Sequence, residues 1–171
     1  MAIEYNLADN QRAERKLLVT YVNVGASSSS PEWEAVGVRV EESSIEFNPD
    51  VSTLTDILGI TYTDVNKTEP QQSFDPFTVR GGSKLHQKLE DIMQRNALTE
   101  LGMFDVMIVR GYIGDGTDGY NAEKHSNCTI VVNSLGGSTN VDMPIEIHYS
   151  NNKTLGTVNA LTGSTITFTE D

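Results

Sequence analysis

Only one stretch of this chain repeats its apolar residues at helical spacing. In SKLHQKLEDIMQRN, residues 83–96, Leu85, Leu89, Ile92 and Met93 fall at i, i+4, i+7 and i+8 and form a single stripe. Gly81–Gly82 precede it, Ser83 suits an N-cap, and polar residues including His86 fill the other face. The spacing predicts one helix over residues 83–97. A single amphipathic helix cannot close a core with itself, so its stripe must cover a sheet.

The remainder reads as strand. KLLVTYVNVG (16–25) is β-branched and aromatic with a glycine stop, and ASSSSPE (26–32) is a loop by composition. WEAVGVRV (33–40) alternates, with Val36, Val38 and Val40 predicted on one face. Parity then switches to Ile45 and Phe47, which calls for a turn or bulge near residues 41–43. After Asn48-Pro49-Asp50, VSTLTDILGITYTDV (51–65) resumes as strand with a break at Gly59, and NKTEPQQSFDPF (66–77) shows little order of its own. Further strands are predicted at 103–113, 128–135, 141–149, 153–161 and 164–170, separated by GDGTDG, GGS, SNN and TGS turns. Residues 1–16 read as an arm. The expected fold is one domain of 171 residues, mainly β with one α-helix, an antiparallel β-sandwich or small barrel.

Chemistry has little foothold. His86 falls on the polar side of the helix, His125 in a loop and His148 in a strand, and none has a second His or Cys at metal-ligand spacing. Asp115, Asp118, Asn121 and Glu123 lack the alternate-position acids of a calcium loop and read as a flexible hairpin tip. The lone Cys128 excludes an intrachain disulfide and reads as a small buried hydrophobe. Glycines 111, 114, 116 and 119 match neither a phosphate loop nor a dinucleotide fingerprint. No cofactor, metal or catalytic set is expected, and no signal peptide or membrane span. The net charge of -12 excludes binding nucleic acid through clustered Lys and Arg.

The ribbon 44–64 raises the sharpest question, because both its faces are mixed and neither can bury properly in a lone chain. The run SIEFNPDVSTLTDILGITYTDVNKTEPQQSFDPF, then a glycine stretch and LHQKLEDIM, resembles the tail-tube (major tail) proteins of long-tailed bacteriophages, most closely those of Gram-positive hosts. The residues that carry the likeness are Glu46, Asn48, Pro49, Asp56, Ile57, Gly59, Glu69, Pro70, Ser73, Asp75 and Pro76, with Leu85 and Leu89 opening the helix stripe. The chain departs from the pattern at RGGSK, just before the helix, where many relatives carry an acid and a proline.

The resemblance implies a virion subunit, made in the host cytoplasm. It would polymerise into stacked hexameric rings, with a long hairpin over 41–77 reaching a neighbouring ring. Its expected partners are other copies of itself, a tape measure protein and tail tip or terminator proteins, with double-stranded DNA passing unbound. Contact candidates on that basis are Asn48, Pro49, Asp56, Ile57, Gly59, Tyr62, Pro70, Phe74 and Pro76. Glu41, Glu42, Glu46, Asp142 and Glu146 are the candidates for an acidic lumen, since a bore of acids lets phosphate slide. A rival within the same class is the inner tube of a contractile tail or tailocin; from other classes come a carbohydrate-binding β-sandwich and an enzyme. The last two find little support in a single Trp33 and an absent nucleophile–base pair.

Overall fold

A computed structural model describes residues 3–163 and 165–171. Residues 1 and 2 of the predicted arm, and Ser164 of the last predicted strand, lie outside them. A 3-10 turn at Arg15–Leu17 leads into β1 (Leu18–Asn23) and β2 (Trp33–Val36). Then come β3 (Ile45–Glu46), β4 (Asp50–Thr55), β5 (Thr61–Lys67) and β6 (Gln71–Phe74). Helix α1 (Lys84–Arg95) and a second 3-10 turn (Leu98–Gly102) follow. The last elements are β7 (Phe104–Asp115), β8 (Gly119–Val132), β9 (Ile145–His148), β10 (Lys153–Val158) and β11 (Phe168–Glu170). All pairings are antiparallel, and a main sheet runs β2-β1-β7-β8-β9-β6-β3, curled into a half-barrel.

β8 is the branch point. Its first half pairs with β10 (Tyr120↔Val158 to His125↔Lys153), and its second half with β9 (Thr129↔His148 to Val132↔Ile145). Asn127, at φ 57°, takes the left-handed bend between the halves, a conformation asparagine tolerates better than most residues.

β7 packs both of its faces, which explains why its sequence reads as one apolar run. Phe104, Val106 and Ile108 enter the larger core with Val22, Ile130, Ile147 and the helix residues Leu85, Leu89 and Ile92. Met107 and Val109 turn the other way, into a smaller core with Tyr21, Ala122, Val158 and Ile166. The helix therefore covers one face of the sheet, as its lone stripe required. Ser83 caps it, its Oγ accepting from His86 N at 3.4 Å, and Asn96 closes it in the left-handed conformation.

Five expectations need correction. Met93 is 41% exposed, so the buried stripe ends at Ile92. His86 is not on the polar side: it is 2% exposed and stacks on Phe77, centroids 4.0 Å apart. β2 stops at Val36, because Gly37 (φ 125°) and Arg39 (φ 63°) form a turn that leaves Val38 exposed while Val36 and Val40 pack on the core. Of the expected turn or bulge, the structure has a turn, placed at residues 37–40 and not 41–43. The 66–77 segment contains β6, seated between β9 and β3 with Gln72 and Phe74 buried. Finally, His125 lies in β8 and is buried, because only residues 116–118 turn between β7 and β8.

Candidate assembly surface

Among the described residues β4 and β5 pair only with each other and form a separate two-stranded ribbon, every strand residue of which is exposed. Registers run from Asp50↔Lys67 to Thr55↔Thr61, with an irregularity after Asp50. One face presents Val51, Val65 and four threonines, and the other Leu54, Tyr62, Ser52 and Asp64. Alternating faces without a partner leave Leu54, Tyr62 and Val65 in solvent. The six residues of β4, at about 3.3 Å each, extend about 20 Å.

The tip is rigidly tied. Asp56 N donates to Ile60 O (2.9 Å), Gly59 N to Asp56 O (3.1 Å), and Asp56 Oδ1 accepts from Leu58 N (2.8 Å) and Ile60 N (3.0 Å). Gly59 sits at φ 78°, where a Cβ is strained. This turn holds Ile57 and Leu58 outward, the two most exposed large hydrophobic side chains among the described residues. At the base, Asn48 (φ 44°) donates from Nδ2 to Glu69 O at 3.1 Å, and Glu69 N bonds Phe47 O at 2.9 Å. The ribbon is thereby a continuation of the β3–β6 pair.

Of the contact candidates, Asn48, Pro49, Ile57, Gly59, Tyr62 and Pro76 are exposed, and Asp56 and Pro70 are half-buried. Phe74 does not belong with them: at 2% exposure it points into the larger core, because β6 alternates Gln72 and Phe74 inward.

The acid candidates divide. β3, β6, β9 and the second half of β8 share an outward face, where Glu46, Gln71, His148 and Thr129 stand in one row and Ser73, Glu146 and Val131 in the next. Glu46 is exposed, and Glu146 is half-buried with Oε1 2.9 Å from His148 Nε2. None of these positions carries Lys or Arg. Asp142 lies off this face in the chain before β9, accepting from Thr78 Oγ1 at 2.6 Å. Glu41 and Glu42 are exposed in the connection between β2 and β3.

Sequence reading missed a buried charge cluster. Glu123 of β8 is 8% exposed and meets Arg110 Nη1 at 3.1 Å, His125 Nε2 at 3.3 Å and Lys153 Nζ at 3.8 Å. Burial alone raises its pKa, but the hydrogen bonds from His125 and Arg110 and the charges of Arg110 and Lys153 outweigh that and hold it at about 2. A second polar chain crosses the larger core, where Gln72 Oε1 accepts from Thr20 Oγ1 (2.9 Å) and Tyr149 Oη (2.7 Å). Both arrangements satisfy buried polar groups. Neither opens onto a cleft with a free nucleophile, and burial pushes the Cys128 thiol pKa up. Among the described residues no group of three or more His, Cys, Asp or Glu is placed to hold a metal ion. Among them, too, no helix is long and apolar enough to cross a membrane.

No family model matches the sequence, and no curated protein matches it. Solved structures do. The chain is similar to the anti-feeding prophage cap, described as the AFP tube terminating cap, with a TM-score of 0.50 and 14% identity. That match covers 89% of this chain and 95% of the cap. A similar match is to the sheath/tube terminator of an extracellular contractile injection system in its extended state, with a TM-score of 0.50 and 12% identity. It covers 86% of this chain and 99% of the terminator. The fold is that of phage-tail-like tube components: mainly β, one helix, a curled antiparallel sheet.

Proposed function

We propose that this protein is a structural subunit of a phage-tail-like tube, without chemistry of its own. Copies join into rings, taken as hexameric, and rings stack through the β4–β5 ribbon. The observation that carries this reading is the ribbon itself: two free strand edges and a rigid apolar tip, left uncovered by the described residues. Unpaired backbone groups and exposed Ile57 and Leu58 are stabilised when a neighbouring copy supplies edge or pocket. The Glu46–Glu146 face is the proposed lining of the bore, where carboxylates on a face without Lys or Arg repel passing phosphate. A tape measure protein, tip proteins and a virion location follow from the same reading, as does the ejection of DNA through the tube.

Negative-stain microscopy of the purified protein tests this. Rings or tubes are expected, and a species that stays monomeric at high concentration rejects it.

A second reading has its own support. The two similar structures are a tube-terminating cap and a tube terminator, and the matches span nearly the whole of both. A terminator gives discrete rings that bind tube ends and do not elongate; a tube subunit gives filaments. The micrograph separates the two.

A further inference from the structure

The ribbon enters from Glu46 at the end of β3 and returns at Gln71 at the start of β6. The other end of that strand pair, at Phe74 and Ser43, faces away from it. There a groove of about 190 Å³ opens beside the Arg15–Leu17 turn. Leu18, Val36, Val40 and Phe74 give it apolar walls. Gly37 leaves bare backbone in it, since a Cβ there would meet nothing nearer than Phe74 Cε1 at 3.9 Å. A cavity of about 150 Å³ holds a six-carbon ring, so this groove has room for one branched aliphatic side chain.

Its charge is unusual for this protein. Arg15, Lys16 and Glu41 are the ionisable residues that line it, and Lys16 is paired with Glu14 at 2.8 Å, which leaves Arg15 as the rim cation in a chain of net charge -12. Arg15 directs Nη1 to Leu18 O (2.5 Å) and Nη2 to Ser43 O (2.9 Å), and forms no ion pair with a carboxylate among the described residues. Arg15 is therefore free to meet a carboxylate from another copy. The ribbon is the converse: over residues 50–67 it holds Asp50, Asp56 and Asp64 against Lys67, and Lys67 is already paired with Glu69 at 2.6 Å.

Resting on the tube-subunit reading above, we infer that Leu58 of one copy seats in the Leu18–Val36–Val40 groove of the next copy, with Ile57 at its mouth and the acidic ribbon against Arg15. A copy cannot satisfy itself this way, because tip and groove lie at opposite ends of the same strand pair. The two patches differ, so the contact is head-to-tail and repeats along an axis without closing between two subunits. Complementary charge at its rim makes the contact dependent on salt.

Cysteine cross-linking tests the contact, because the native Cys128 is buried and leaves the wild-type background low. Leu58→Cys and Val40→Cys are made singly and together, and Lys16→Cys on the exposed rim serves as a second groove site should Val40→Cys disturb the core. After mild oxidation, a mixture of tip and groove variants gives a covalent dimer, and the chain with both gives a ladder of multimers. Adding Arg15→Glu weakens the ladder about tenfold. If wild type assembles under the microscope but no ladder forms, the groove is not the receptor and the tube reading stands. A ladder or dimer from the tip variant alone means that tips pair with tips, or with another surface, and overturns the inference. Wild type that neither assembles nor cross-links overturns both.

Discussion

Arg110 on β7 and Glu123 on β8 meet at 3.1 Å across the sheet, where Glu123 is almost wholly shielded from water. Three groups face this carboxylate: Arg110, His125 and Lys153. A depressed carboxylate pKa contributes stability that is complete above the ordinary value of 4.5 and is lost as pH falls toward about 2. The span corresponds to about 3 kcal/mol. Urea unfolding measured from pH 6 down to pH 2 is expected to show this loss. Glu123→Gln should be less stable at neutral pH and flatten the slope by about one proton. An unchanged slope contradicts the assignment.

Glu34, on β2, reaches the start of α1 from outside the helix. Its Oε2 accepts the N–H groups of Lys84 (2.9 Å) and Leu85 (3.1 Å), and Ser83 Oγ donates to Oε1. Two helix N–H groups that the helix cannot satisfy itself are thus answered by a strand. Glu34→Ala is expected to cost about 1–3 kcal/mol, measured by thermal or urea unfolding. Glu34→Gln, which keeps an acceptor but loses the charge near the helix N-terminus, should cost less.

The corrected helix stripe makes its own prediction. Leu89→Ala, at a fully buried site, should destabilise by about 2–5 kcal/mol through lost transfer energy and a residual cavity. Met93→Ala, one turn on and 41% exposed, should cost much less, about 1 kcal/mol or below. Equal effects at the two positions would show that the stripe is drawn wrongly.

At the ribbon tip, Ile57→Asp with Leu58→Asp should leave the melting temperature nearly unchanged, because both side chains are solvated in the subunit. Assembly should fall by tenfold or more in sedimentation velocity. A normal melt with normal assembly removes the tip from the contact.

The proposed bore can be read through DNA. Assembled wild type should not retard duplex DNA at physiological salt. Glu46→Lys with Glu146→Lys adds two cations to one sheet face of every subunit, and should produce retardation that weakens steeply as salt rises. No retardation in tubes that carry both changes places this face outside the bore.

The ribbon was legible because alternation, the Asn-Pro turn and Gly59 are all local signals. β6 was not, since its central inward residue is Gln72, and a polar residue at a core position hides the strand pattern. Only the partners Thr20 and Tyr149, 52 and 77 residues away, explain why it can be buried. Glu123 was obscured in the same way. It follows a run of Gly and Asp that reads as loop, and the cations that hold it come from β7 and β10. The helix was readable from spacing, but spacing could not tell that Phe77 lies over His86. Charge at the groove rim left no trace in composition, because Arg15 and Val40 become neighbours only through the fold.

The ribbon also has a mechanical meaning, because its strands run directly into β3 and β6, and β6 is clasped by β9 along its length. Inter-strand hydrogen bonds lie perpendicular to the strands. Tension applied at Ile57 therefore runs along the strand axis and strains every rung of that ladder at once in shear, instead of peeling them off one by one.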